Sequence, residues 1–173
     1  MRFVVVATAA VVMLAASAQA APFDVYRSAC LDTGVDLAKV RALASSQKWA
    51  ALTDPEREQF KPGNPAAVEG WAIVKDGARN LVSISGSTLE GGMTGDRSGS
   101  QSASCSVLAP KTDDKAVAKI YGDYLKRKPS EDRADGMVTY TWAIQDASNV
   151  TYHYLVSGTN VPGLSLSVSS IRK

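Results

Sequence analysis

Histidine and cysteine are both scarce in this sequence, which has one histidine and two cysteines among 173 residues. Zinc sites are built from four ligands, most often cysteine and histidine side chains, so a zinc site is nearly excluded. A serine hydrolase needs only one histidine, but no G-x-S-x-G turn is present to hold a strained serine nucleophile. We therefore predict no metal, no cofactor and no catalytic residues from the motifs of the chain.

Neither sign of charge is in excess, because 19 lysines and arginines stand against 17 aspartates and glutamates. A protein that binds nucleic acid through the phosphates needs a concentrated basic surface, so we expect no nucleic-acid partner. A basic run at 126–128 ends a predicted helix, where it complements the negative end of the helix dipole. Attraction of anionic lipid or polysaccharide is the alternative interpretation of that run.

Long apolar runs are absent except at the N-terminus. Arg2 precedes an apolar stretch from Phe3 to Ala16, and Ala18 and Ala20 follow in an A-x-A arrangement. This order is typical of a secretory signal peptide, and the stretch is shorter than the roughly 20 residues that span a membrane. We expect residues 1–20 to be cleaved, and residues 21–173 to form a single domain without an integral membrane span.

The two cysteines, Cys30 and Cys105, lie far apart in the sequence. In an oxidising compartment an even number of cysteines favours a structural disulfide. A reactive thiol pair and a metal-binding pair are the alternatives, but redox pairs usually occur as C-x-x-C. We therefore predict a disulfide that clamps the first helix onto the sheet, and a periplasmic or secreted location.

Hydrophobic periodicity divides the mature chain into a helical first third and a strand-rich remainder. Helical spacing predicts three short helices before residue 61 and a longer one that follows Thr112-Asp113-Asp114 and stops at Pro129. Alternation of apolar and polar residues predicts three strands before this longer helix and three after it. We predict an α+β domain in which N-terminal helices and one later helix pack on an antiparallel sheet of about six strands.

Three local signals in this pattern are specific enough to be tested. Asp76-Gly77 is a turn pair that predicts a β-hairpin. Gly122 destabilises a helix interior by about 1 kcal/mol, so we expect a close backbone approach there. The acidic residues Glu131, Asp132 and Asp135 fail the spacing of an EF-hand calcium loop, and they predict a solvated turn.

His153 lies between two tyrosines on the second of the last three predicted strands. Val150, Tyr152, Tyr154 and Val156 alternate along it and predict its apolar face, so we expect His153 to face solvent. A role as a general base is the alternative. The aromatic residues of this strand and the one before it are predicted to lie in the core, and a ligand groove is the alternative for them: Tyr140, Trp142, Tyr152 and Tyr154.

A segment rich in glycine and serine, residues 87–101, predicts an exposed loop between two strands. Such loops often present recognition groups. Met93 and Arg97 are the side chains in it best suited to contact a partner, because Met and Arg are enriched at protein interfaces. We therefore predict that this loop is the part of the chain that contacts a partner.

The sequence contains a loose pattern of Phe23, Cys30, Thr33 and Trp49, followed by a Ser-Cys-Ser-Val strand around Cys105. This pattern resembles that of small exported proteobacterial proteins with two cysteines. The resemblance implies a periplasmic or secreted setting and a disulfide. It implies neither an activity nor site residues.

A function in binding, without chemistry, is what these observations favour. The candidate partners are an envelope protein, a secreted enzyme that the protein inhibits, or a small apolar ligand. A small hydrolase with an acid/base pair not visible in the sequence is one alternative, and it would show carboxylates of shifted pKa in a cleft. A structural envelope component is the other, and it would expose an apolar patch.

Overall fold

The structure is a computed structural model that describes residues 20–88 and 100–172. Within these ranges eight strands form one antiparallel sheet in the order β1-β2-β3-β4-β8-β7-β6-β5. The strands are β1 (Ala50–Ala51), β2 (Glu69–Lys75), β3 (Ala78–Thr88), β4 (Gln101–Ala109), β5 (Ser130–Ala134), β6 (Met137–Gln145), β7 (Asn149–Gly158) and β8 (Leu164–Arg172). The predicted α+β architecture is confirmed, but the predicted number of about six strands is wrong.

Four helices accompany the sheet within the described residues. Helix α1 occupies residues 20–26 and continues as a π-helical turn at Arg27–Leu31. The others are α2 (Leu37–Ser46), α3 (Asp54–Glu58) and α4 (Asp114–Leu125), with a 3₁₀ turn at Pro65–Ala67. No helix in these ranges is long and apolar enough to cross a membrane.

The two strands that the sequence did not predict are the two at the edges of the sheet. Strand β1 has only two residues, which are too few to show an alternation. All five residues of β5 are exposed and none is a large apolar residue, as suits an edge strand that must not pair with another chain. The predicted acidic turn is therefore mostly strand, and only Asp135-Gly136, with φ of 51° and 74°, forms the turn.

Helices α1, α2 and α4 cover one face of the sheet, which we call the helix face. Their residues Phe23, Tyr26, Val40, Val117 and Tyr121 are buried in one core with the strands. The strand residues of this core are Val82, Ile84, Cys105, Val107, Tyr140, Trp142, Leu155, Leu164, Leu166 and Val168. The sheet therefore holds its large core on this face.

The predicted disulfide between Cys30 and Cys105 is confirmed, and it joins the π-helical turn after α1 to the central strand β4. Both cysteines are fully buried, and their Cα atoms are 5.5 Å apart. The disulfide thus fixes the end of α1 above the sheet.

Helix α3 lies on the opposite face, which we call the outer face. A second apolar cluster of Leu52, Ala72, Leu81 and Leu108 lies there, with Phe60, Val68 and Val161 packed around it. Glu56 of α3 accepts a 2.6 Å hydrogen bond from Arg79, which holds the pKa of Glu56 down at about 2. Beyond this cluster the outer face carries half-exposed serines at 165, 167 and 169.

Gly122 in α4 marks the close approach that its position predicts. A Cβ atom on Gly122 would lie 2.9 Å from the carbonyl oxygen of Arg127, and that oxygen also accepts a 3.1 Å hydrogen bond from the indole of Trp142. A side chain at 122 therefore requires the backbone after the helix to move.

Replacing Gly122 by alanine is expected to leave the free energy of unfolding unchanged or to lower it by up to about 1 kcal/mol. An exposed mid-helix glycine would instead gain about 1 kcal/mol from helix propensity. Urea unfolding of Gly122→Ala measures the difference, with Asp123→Ala at the exposed neighbouring position as the control. A gain of about 1 kcal/mol for Gly122→Ala would contradict the close approach.

Candidate functional site

The candidate site is a cleft of about 490 Å³ on the helix face, above strands β7 and β8. Three cross-strand pairs form its floor, one row behind another: Asn149 opposite Arg172, Thr151 opposite Ser170, and His153 opposite Val168. The floor thus runs from an arginine at the rim to a histidine at the inner end. Every residue type in it except valine is polar, although it lies on the face that elsewhere holds the apolar core.

The cleft exists because two helices end above these rows. Helix α4 ends at Leu125, and the π-helical turn after α1 ends at Leu31. The chain then turns through Gly34 and Val35, both with positive φ, before α2 begins. The side chains of Leu31, Val35, Tyr124 and Leu125 form the walls, so the walls are apolar or aromatic and the floor is polar.

His153 is buried at the inner end of this floor, and the prediction that it faces solvent is wrong. Only 6% of its surface is exposed. Its cross-strand neighbours Trp142 and Val168 both belong to the core, so His153 lies on the helix face. Tyr152 and Tyr154, which were predicted to lie in the core, are instead half-exposed on the outer face.

A chain of buried hydrogen bonds fixes the imidazole of His153. The hydroxyl of Tyr121 lies 2.7 Å from Nδ1 of His153, and the hydroxyl of Tyr26 lies 2.5 Å from that of Tyr121. Burial raises the pKa of both tyrosines, so both hydroxyls keep their protons.

The direction of these hydrogen bonds follows from the partners of each group. In the described residues the fully buried Tyr26 hydroxyl has no acceptor except Tyr121, so it donates to Tyr121. Tyr121 then donates to Nδ1 of His153, which places the proton of the neutral ring on Nε2. Nε2 has no hydrogen-bond partner among the described residues, so it is the free polar atom of the ring at the cleft.

Burial also lowers the pKa of His153 to about 4, so the ring is neutral at pH 7. The usual pKa of a histidine is 6.5. Between these two values the unfolded chain binds a proton at His153 that the folded chain does not bind, so the folded chain loses stability as the pH falls.

Lowering the pH from 7 to 4.5 is expected to lower the free energy of unfolding by about 2 kcal/mol through protonation of His153. This loss is smaller than the full difference between the two pKa values implies, because the cleft admits water. His153 is the only histidine of the sequence. Urea unfolding at both pH values should therefore show a larger acid loss in the wild type than in His153→Gln. Equal losses in the two proteins would contradict this assignment.

Two charged residues lie at the mouth of the cleft, and they differ in how their charges are held. Asp146 accepts hydrogen bonds from the backbone N–H groups of Ser148 and Asn149 and from both of their side chains, which lowers its pKa. Arg172 donates one hydrogen bond of 2.9 Å to the carbonyl oxygen of Gly34 and forms no ion pair in the described residues. The carboxylate is therefore held within its own turn, whereas most of the guanidinium remains available.

A larger hollow of about 590 Å³ lies beside the basic run at 126–128. Lys119 and Asp123 at its edge are exposed and pair with each other at 2.6 Å. No buried polar side chain lines it in the described part of the chain. The His153 cleft is therefore the stronger candidate site.

Of the site residues predicted from the sequence, the disulfide cysteines lie beside the cleft, and the contact-loop residues lie outside the described part of the chain. Cys105 is the register partner of Val168, so the disulfide adjoins the cleft floor. Met93 and Arg97 of the predicted contact loop lie outside the described residues. No spacing in the sequence indicated the residues that form the cleft, because Tyr26, Tyr121 and His153 meet only through long-range packing.

Comparisons of this chain with protein-family models, with curated proteins and with solved structures give no match.

Proposed function

We propose that this chain is an exported domain that acts by binding, and that the cleft above β7 and β8 holds a small ligand. The observation that carries the proposal is His153, which is more than nine-tenths buried as a residue and whose Nε2–H has no protein partner among the described residues. Nε2 is not one of the buried polar atoms that lack a partner, so this donor is open to water in the cleft. A ligand with a hydrogen-bond acceptor would replace that water and bond to a donor whose orientation is already fixed.

The size and lining of the cleft support a small-molecule ligand. Small-molecule sites have volumes of roughly 300–1,000 Å³, with mainly apolar walls and a few polar groups that fix orientation. The His153 cleft, at about 490 Å³, has apolar walls and a polar floor. This matches the small apolar ligand among the candidate partners better than it matches a protein partner, which needs a broad surface.

Two features favour binding over acid/base chemistry at His153. The ring is oriented by a neutral tyrosine, whereas the histidine of a hydrolase triad is oriented by a carboxylate. Its lowered pKa makes it a weak base, because base catalysis works best with a pKa near the working pH. The hydrolase alternative predicts carboxylates of shifted pKa in a cleft, and Asp146 at the mouth of this cleft has a lowered pKa. Hydrogen bonds from Ser148 and Asn149 within its own turn cause that shift and keep the carboxylate ionised, so it is unsuited to act as a general acid.

Export to the periplasm or the medium rests on the N-terminal sequence and is supported by the disulfide. Kinship with the small exported proteobacterial proteins that the sequence resembles is part of the same proposal. Mass spectrometry of the protein from its own cell envelope should give residues 21–173 less two hydrogens. A mass that includes residues 1–20, or two free thiols, would contradict the proposal.

The binding proposal is tested with octanamide, a neutral amphiphile that carries a hydrogen-bond acceptor. Amide NMR signals of β7 and β8 around His153 should shift saturably. Ser170→Val, which fills the floor, should abolish the shifts, whereas Ser167→Val on the outer face of the same strand should not. Absence of saturable shifts, or equal effects of the two variants, would rule out the cleft as the ligand site. Turnover of a substrate that is lost in His153→Gln would rule out a purely binding role.

A further inference from the structure

We infer that the ligand of the His153 cleft carries a carboxylate on an apolar body, an inference that rests on the proposed binding function. His153 offers Nε2–H, and the hydroxyls of Thr151 and Ser170 lie in the next row. Ser170 is buried as a residue, and its hydroxyl is not one of the buried polar atoms that lack a partner within the described residues, so it is open to the cleft.

Arg172 at the mouth of the cleft also favours a ligand with a negative charge. Arg172 ends the floor and, within residues 20–88 and 100–172, gives one of its five N–H groups to a protein acceptor, the carbonyl of Gly34. Arginine matches the planar carboxylate geometrically, and such charge-assisted hydrogen bonds are about twice as strong as neutral ones. An acceptor that also carries negative charge therefore suits the floor better than a neutral acceptor does.

Asp146 is the group at the mouth that opposes a negative ligand. Its carboxylate already accepts hydrogen bonds from Ser148 and Asn149, which hold its charge inside the turn between β6 and β7. The ends of α1 and α4 also place the negative ends of two helix dipoles near the cleft. With a single arginine against these effects, a singly charged carboxylate is better matched than a phosphate with two charges.

The apolar body of the ligand is assigned from the walls. Leu31, Val35 and Leu125 line the cleft above the polar floor, and the charged residues that line it in the described part of the chain, Asp146 and Arg172, lie at its mouth. A polar ligand would leave these side chains against water or against unmatched polar groups, whereas an alkyl or aromatic body buries them.

The test is calorimetric titration of the full mature protein with octanoate and with octanamide, which have the same chain length and differ in charge. Octanoate is expected to bind about tenfold more tightly than octanamide, as a charged hydrogen bond adds to a shared apolar contact. Arg172→Gln should weaken octanoate binding by about tenfold and octanamide binding by much less, so that the preference for octanoate is lost. Arg172→Lys, which keeps the charge, should retain most of the preference.

Arg127→Gln is the matched control, because it removes the same charge from the exposed basic run outside the cleft. It should change neither affinity. Equal binding of the two probes to the wild type, or equal losses in Arg172→Gln and Arg127→Gln, would overturn the carboxylate inference and leave the binding function standing. If neither probe binds, the proposed binding function fails and the inference fails with it.

Discussion

Replacing both Cys30 and Cys105 by alanine is expected to lower the free energy of unfolding by about 4 kcal/mol. The disulfide joins residues separated by 75 positions. In the chain-entropy model a crosslink of that span restricts the unfolded chain by roughly this amount. For a domain of this size the melting temperature should fall by roughly 10 °C.

Alanine is the replacement of choice because both cysteines are fully buried. A serine pair would add two buried hydroxyl groups, and their cost would be mixed with that of the lost crosslink. Thermal unfolding of the double variant, with the wild type under reducing conditions as the control, isolates the crosslink. An unchanged melting curve, or two thiols titrated in the native protein, would contradict the prediction.

The disulfide also has a consequence for the cleft. Cys30 directly precedes Leu31, a wall residue, and Cys105 is the register partner of Val168 in the floor. The crosslink therefore fixes a wall of the cleft relative to its floor, which reduces the ordering that a ligand must impose. We expect the double alanine variant to bind octanamide more weakly even at temperatures where it stays folded.

Those parts of the fold that depend on local signals were predictable from the sequence. The carboxylate of Asp113 caps α4 by accepting backbone N–H groups, as expected from the predicted helix start at Thr112-Asp113-Asp114. Asp36 caps α2 in the same way. The turn at Asp76-Gly77 has positive φ at both residues and joins β2 to β3. Each of these features is decided by residues within one turn of chain.

The orientation of β7 was not predictable, because both of its alternating sets contain apolar residues. Val150 and Tyr152 make one set plausible as the core, and Leu155 makes the other plausible. The choice is made by the neighbouring strands, since Leu155 lies between Tyr140 and Leu166 of the helix face. A contact between strands has no signature within one strand, so the cleft and the burial of His153 could emerge only from the folded structure.

Removing the hydroxyl of Tyr121 is expected to lower the free energy of unfolding by about 3 kcal/mol. Tyr121→Phe leaves two buried groups without partners, the hydroxyl of Tyr26 and Nδ1 of His153. Each unsatisfied buried group is destabilising by roughly 1–3 kcal/mol. Urea unfolding measures the loss, and Tyr124→Phe, whose side chain is 45% exposed one turn further along α4, should change stability by less than about 0.5 kcal/mol.

A double variant tests whether the three side chains act as one network. Adding Tyr26→Phe to Tyr121→Phe removes one of the two orphaned groups, so the double variant should be about 1 kcal/mol more stable than Tyr121→Phe alone. Additive losses, with the double variant the least stable of the set, would show that the hydroxyls contribute independently and that the assigned order of donors is wrong.

The same variants connect the network to binding. In the wild type Tyr121 donates to Nδ1 and so keeps the ring proton on Nε2, at the floor of the cleft. Without that donor the ring is free to change tautomer, and the cleft then loses a fixed donor. The ¹⁵N shifts of His153 should therefore report Nε2–H in the wild type and a mixture of tautomers in Tyr121→Phe, with octanamide binding weakened in proportion. Unchanged tautomer and affinity in that variant would mean that the tyrosines support the fold only, and that the cleft orients His153 by other contacts.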